Sequence, residues 1–134
     1  MPLEWSKSIE TGFPAVDEQH QELFKRINAF VALMMEGKDA RKISELIDFL
    51  ESYAQLHFSF EENLLEQNKY PQLAAHKAQH DFYKRTISTI KSEYQAHGYT
   101  KELSASIHKN LTSWLVNHIQ KMDLAWAEHL KKNA

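Results

Sequence analysis

From Leu73 to Tyr94 the chain places Leu73, His76, His80, Tyr83, Ile87, Ile90 and Tyr94 in unbroken alternating steps of three and four residues. That spacing gathers them on one face of an α-helix, a face apolar enough to require burial. Two positions that a core would fill with leucine hold histidine instead. The preceding segment repeats the anomaly: Ile43, Leu46, Ile47, Leu50, Tyr53, Ala54, His57, Glu61, Leu64 and Leu65 form its stripe, and His57 and Glu61 interrupt it four residues apart. Residues four apart on a helix lie one above the other, so each pair can direct two donor atoms at one point. The Tyr70-Pro71 break makes the two segments antiparallel neighbours facing a shared centre.

Two further stripes complete the pattern. From Asp17, His20, Leu23, Phe24, Ile27, Val31 and Met34 recur at helical steps up to Gly37; from Thr100, a plausible N-cap, Leu103, Ile107, Leu111, Trp114, Leu115, His118 and Met122 do the same. The second helix is expected from about Ala40 to Gln67 and the third from near Pro71, where proline fits a first turn, to Gly98. Residues 1–16 hold two of the three prolines among Leu3, Trp5, Ile9, Phe13 and Val16, which reads as an irregular arm with apolar anchors lying over the bundle. The expectation is one all-α domain over residues 1–134: an arm at 1–16, then an up-down-up-down four-helix bundle with a C-terminal extension at 17–134. No strand alternation, repeat or low-complexity segment competes with it.

Charge and composition exclude several function classes. Lys plus Arg number 16 against 18 Asp plus Glu, so the net charge of -2 offers no broad footprint for nucleic acid or an anionic membrane. Without cysteine there is no thiolate zinc site, ordinary iron-sulfur cluster or disulfide, so any metal must be held by histidine and carboxylate. No stretch approaches the roughly 18 apolar residues of a membrane span and no leader pattern opens the chain, so a soluble, cytoplasmic protein is expected.

The inward-facing polar residues are His20, His57, Glu61, His76, His80, His118 and Asp123. Burying an unpaired imidazole costs about a few kcal/mol and a carboxylate more, so seven such groups in one core call for a common partner. They exceed what one tetrahedral zinc accepts, whereas two ions bridged by both carboxylates fit, two irons best of all. The stretch His76-Lys77-Ala78-Gln79-His80 lacks the glutamate a zincin uses as its base. No Glu-x-x-His motif of the carboxylate-rich di-iron bundles is present at His57, His76, His80 or His118. His118 and Asp123 stand five apart, about 140° round a regular helix, so the fourth helix must widen to a π-bulge or end before Asp123 if both are to reach one metal pair. His97, His108 and His129 are expected on the surface, and Glu62, turned off the ligand face, in solvent.

At these residues the chain resembles the hemerythrin family, specifically its single-domain bacteriohemerythrins. The motifs run from Trp5 through DEQHQ, HFSFEE, the Tyr70-Pro71 turn, HKAQH and WLVNHIQKMD, nearly the length of the chain. The resemblance implies an oxo- or hydroxo-bridged di-iron centre, with His76, His80 and His118 on one iron, His20 and His57 on the other, and Glu61 and Asp123 bridging. Leu23, Trp114, Leu115 and Ile119 match positions lining the family's apolar oxygen pocket, and Trp126 stands where the marine-worm members carry tyrosine. The implied function is reversible binding of dioxygen for transport, storage or delivery, with an oxygen-consuming protein as a candidate recipient and no enzymatic role. An oxygen or nitric oxide sensor and a di-iron oxidase or peroxidase are the alternatives.

Overall fold

The computed structural model describes residues 3–133. Met1 and Pro2 of the expected arm and Ala134 of the expected C-terminal extension lie outside the described residues. Three uninterrupted helices, α1 (Pro14–Glu36), α2 (Ala40–Gln67) and α3 (Leu73–His97), precede a fourth rod, α4, over residues 101–132. Among the described residues there is no strand, and consecutive helices pack as antiparallel neighbours in a four-helix bundle.

The turns follow from their residues. Gly37 takes φ 67° and donates its N–H to the Leu33 carbonyl, closing α1 in the left-handed conformation that suits glycine. Asp39 accepts from the Lys42 N–H and Thr100 from the Leu103 N–H, each capping the helix that follows. Two boundaries differ from the sequence reading. α1 begins at Pro14 rather than Asp17, and Asp17 sits in its first turn reaching back: its carboxylate accepts from the Thr11 N–H and hydroxyl, both at 2.8 Å, and from the Gly12 N–H at 3.1 Å. α3 begins at Leu73 rather than near Pro71, because the Leu73 N–H closes a turn onto the Tyr70 carbonyl first.

The rod α4 is α-helical over Lys101–Ser106, widens to π-helical turns over Ile107–Ser113, is α-helical again over Trp114–His118, widens a second time over Ile119–Asp123 and ends as α-helix over Leu124–Lys132. The second widening is the one demanded by the five-residue spacing of His118 and Asp123; the first was not foreseen. Wide turns displace carbonyls from the regular ladder, and here side chains take them up: the Tyr83 hydroxyl donates to the Leu111 carbonyl at 2.6 Å and the Thr112 hydroxyl to the His108 carbonyl at 2.7 Å. One consequence is that Trp114 and Met122, expected inside, are only half-buried.

The core is divided. The larger apolar cluster fills most of the bundle and includes Leu23, Phe58, Tyr83, Leu115 and Ile119; the smaller, Val16, Leu65, Trp126, Ala127 and Leu130, closes one end beneath Phe13 and Tyr70. Five of the seven polar residues fall between the two, His20 between Val16 and Leu23, Glu61 between Phe58 and Leu65, His76 and His80 between Leu73 and Tyr83, and Asp123 between Ile119 and Trp126, while His57 and His118 border the larger cluster. The arm covers this level from the side, with Ile9 buried, Trp5 6.3 Å from the His20 ring and 5.5 Å from Phe24, and the Leu3 backbone held by both ends of the Asn28 amide at 2.8 and 2.9 Å.

Candidate metal centre

All seven residues singled out from the sequence converge on this polar layer, and each is at most 4% exposed. α1 supplies His20, α2 His57 and Glu61, α3 His76 and His80, and α4 His118 and Asp123. Their ligand atoms divide into two groups, each with members within 4.8 Å of one another: Glu61, His76, His80, His118 and Asp123 form one, and His20, His57 and Glu61 the other. Glu61 belongs to both. Asp123 reaches the second group as well, since its Oδ2 lies 3.1 Å from His20 Nε2 while its Oδ1 lies 3.1 Å from His76 Nε2 and 3.3 Å from His118 Nε2. The widened turn between His118 and Asp123 brings both to the same centre.

The ring orientations have a cause. His57 Nδ1 pairs with the Gln19 side-chain carbonyl at 2.7 Å, and His80 Nδ1 pairs with the Glu62 carboxylate at 2.7 Å. Each outer bond fixes the ring and leaves Nε2 facing the centre. Glu62 is therefore not simply solvated, as its place off the ligand face of α2 suggested; its side chain is 21% exposed and spans to α3. The sequence signal for both outer partners is adjacency: Gln19 precedes His20 and Glu62 follows Glu61, and a neighbour in a helix points about 100° aside, toward the next helix. Trp126, fully buried, donates its indole N–H to Asp123 at 3.2 Å and covers the site at that end. His97 and His108 are exposed as expected, whereas His129 is half-buried with its ring 5.2 Å from Tyr70.

The electrostatics show what seven such groups do when left to one another. Burial alone would lower His20 and His76, but hydrogen bonds and charge from Asp123 and Glu61 outweigh it and raise both to about 9. Burial dominates at His57 and lowers it to about 3. Burial would raise Glu61 and Asp123, and the Asp123 charge would raise Glu61 further, yet the surrounding imidazoles hold both below the ordinary carboxylate range. Even so the set is not satisfied internally. Among the described residues eight buried side-chain nitrogen and oxygen atoms find no hydrogen-bond partner, and all of them belong to His20, Glu61, His76, His80, His118 and Asp123. Any of these atoms left without a partner costs about 1–3 kcal/mol. Imidazole nitrogens and carboxylate oxygens around a common centre are a donor set for divalent transition metals, and the residues present fit a pair of them.

The comparisons with known proteins point the same way. Residues 11–130 match the family model described as the hemerythrin HHE cation binding domain. The chain is 30% identical over 129 residues to a bacteriohemerythrin of Stenotrophomonas maltophilia, covering 96% of this chain and 82% of that one. It is 27% identical to a myohemerythrin of Theromyzon tessulatum over 93% of this chain and 91% of that one. A crystal structure of wild-type hemerythrin superposes with a TM-score of 0.81 at 25% identity, covering 96% of this chain and 97% of the other.

Proposed function

Because the chain belongs to the hemerythrin family, we propose that its buried cluster holds two iron ions and binds dioxygen reversibly, making the protein a carrier, store or deliverer of oxygen rather than an enzyme. The observation that carries this reading is that, among the described residues, the buried side-chain atoms without a hydrogen-bond partner all belong to this cluster. His76, His80 and His118 would hold one ion and His20 and His57 the other, with Glu61 and Asp123 between them. The ions would supply the electrons that bind dioxygen.

The chain's own residues decide that binding stays reversible. Neutral imidazoles stabilise high oxidation states less than carboxylates do, which favours holding oxygen over activating it. The ion that His20 and His57 would hold has fewer protein ligands than its neighbour, which would leave room there for dioxygen. Leu23, one turn beyond His20, and Leu115 and Ile119, flanking His118, are fully or almost fully buried and aliphatic, and Trp114 stacks on His118. These four form the proposed oxygen pocket, where apolar walls offer no proton to the bound species and hinder anions from replacing it. Among the described residues no helix is long and apolar enough to cross a membrane.

The test is an absorption spectrum of the reduced, iron-loaded protein, taken before oxygen, under oxygen and after its removal. Return to the first spectrum, with two irons per chain, is the expected result. Irreversible oxidation accompanied by product formation would replace the carrier reading with an enzymatic one.

A further inference from the structure

Between Glu102 and Asp123 the chain has no acidic residue, although acidic residues outnumber basic ones by 18 to 16 overall. Asp123 is buried in the cluster, so the outer face of this part of α4 is neutral or positive. Lys109 and Lys121 lie exposed on it, with no acidic neighbour on their own stretch of helix to offset them. The two lysines, with Asn110 and Asn117, border a surface cleft of about 460 Å³ that Trp114 and His118 also line. Trp114 stacks nearly parallel on His118, with ring centroids 4.8 Å apart at 7°. Phe82, 44% exposed, stands beside it at 6.1 Å. His118 is the most exposed of the five cluster histidines, at 4% against 0–1% for the others. A π-stacked pair thus joins a cluster histidine to the surface, at a place with an apolar centre and a cationic rim.

We infer that this cleft is an electron-entry port, on which an acidic one-electron carrier protein docks against Lys109 and Lys121 and passes its electron through Trp114 to His118 and the ion it would hold. The inference rests on the di-iron reading above. An oxygen carrier whose iron drifts to the ferric state is useless until reduced, and burial shields the cluster from direct contact with a donor. In each encounter the carrier is oxidised by one electron and one iron would be reduced, so two encounters would return both irons to the ferrous state, with any charge-balancing proton drawn from solvent. Charged rims around small apolar centres suit such partners, because they speed association while leaving the complex weak enough to dissociate between electrons.

The experiment uses the iron-loaded, fully oxidised protein and a reduced [2Fe–2S] ferredoxin of acidic surface as the probe, followed by stopped-flow absorption. Reduction should saturate with ferredoxin concentration, and its second-order rate should fall at least tenfold between low and physiological salt. The pair Lys109→Glu and Lys121→Glu should lower that rate at least tenfold while reduction by dithionite stays at the parent rate. Trp114→Leu should slow the saturated rate at least fivefold, and Trp114→Phe, which keeps an aromatic stack, should recover most of it. With both proteins oxidised, NMR line broadening on adding ferredoxin should centre on Gln79, Phe82 and residues 109–122, a readout independent of turnover. Unchanged rates in the lysine variants, or broadening elsewhere, would overturn the docking site; an unchanged saturated rate in Trp114→Leu would overturn the path. A protein that fails to load two irons overturns the di-iron reading itself, and the port with it.

Discussion

His57 and His80 differ from the other cluster histidines in having their outer nitrogens engaged, one by neutral Gln19 and one by the carboxylate of Glu62. Two adjacent glutamates on α2 therefore have different tasks. Glu61→Gln removes a carboxylate shared by both ligand groups and should cost most of the bound iron, whereas Glu62→Gln keeps an oxygen for His80 Nδ1 and should retain nearly all of it. Iron per chain, measured after desalting, would contradict this if the ranking came out reversed. Protons respond at the same scale. In the metal-free chain His20 and His76 titrate near 9, so at neutral pH both carry a proton that an incoming ion must displace. Loading with ferrous iron in weak buffer should release protons, and apparent metal affinity should rise with pH through neutrality and fall in acid; a dye that registers no acidification would refute it. Leu115→Ala, which opens space beside His118, should retain both irons at a stability cost of about 2–5 kcal/mol and yet lose its oxy spectrum several-fold faster. If the oxy lifetime equals the parent's at a temperature where both are folded, Leu115 is core and nothing more.

At the scale of the element, the instructive case is α4. Its second wide turn, Ile119–Asp123, was legible because a five-residue spacing cannot put two ligands on one face of a regular helix. Inserting one alanine after exposed Gln120 should lengthen the spacing by a further residue, rotate Asp123 by about 100° away from the centre and empty the site while leaving helix content by circular dichroism nearly unchanged; full iron occupancy in that variant would show that Asp123 tolerates the rotation. The first wide turn, Ile107–Ser113, left no comparable trace. Steps of four from Ile107 to Leu111 to Leu115 suit either pitch, and the widening is underwritten by the Tyr83 hydroxyl of another helix. Glu62 was misjudged for a related reason: periodicity says which way a side chain leaves its own helix and not what the neighbouring helix brings to meet it. Six of the seven cluster positions needed no such knowledge, because each replaces an apolar residue in a stripe that the sequence displays whole; Asp123 lies off its stripe and was reached only through the five-residue spacing.

For the whole molecule, the polar layer is a seam between a large apolar cluster and a small one. Bound metal would join what hydrophobic contact cannot, so its removal should loosen the two parts unequally. Chelation should lower the melting temperature and speed amide exchange most in residues 61–80 and 118–130, while Ile43, Ile87 and Leu103 in the larger cluster stay protected. Uniform loss of protection would show instead that the bundle behaves as a single cooperative unit.

The order in which ligands meet along the chain has its own consequence in time. His57 and Glu61 lie just before the Tyr70 turn and His76 and His80 just after it, with Glu61 and His76 only 15 residues apart in sequence and already in contact. His20 and Asp123 must instead be gathered from opposite ends of the chain. Loop closure over short spans is fast and entropically cheap, so the α2–α3 hairpin is the first part of a refolding chain able to grip an ion. An ion caught there meets four of its eventual partners and waits for the others. Refolding in the presence of metal should accordingly show a rapid, weakly held binding phase followed by a slower gain in affinity as α1 and α4 dock, with the hairpin acting as the nursery in which the centre is begun.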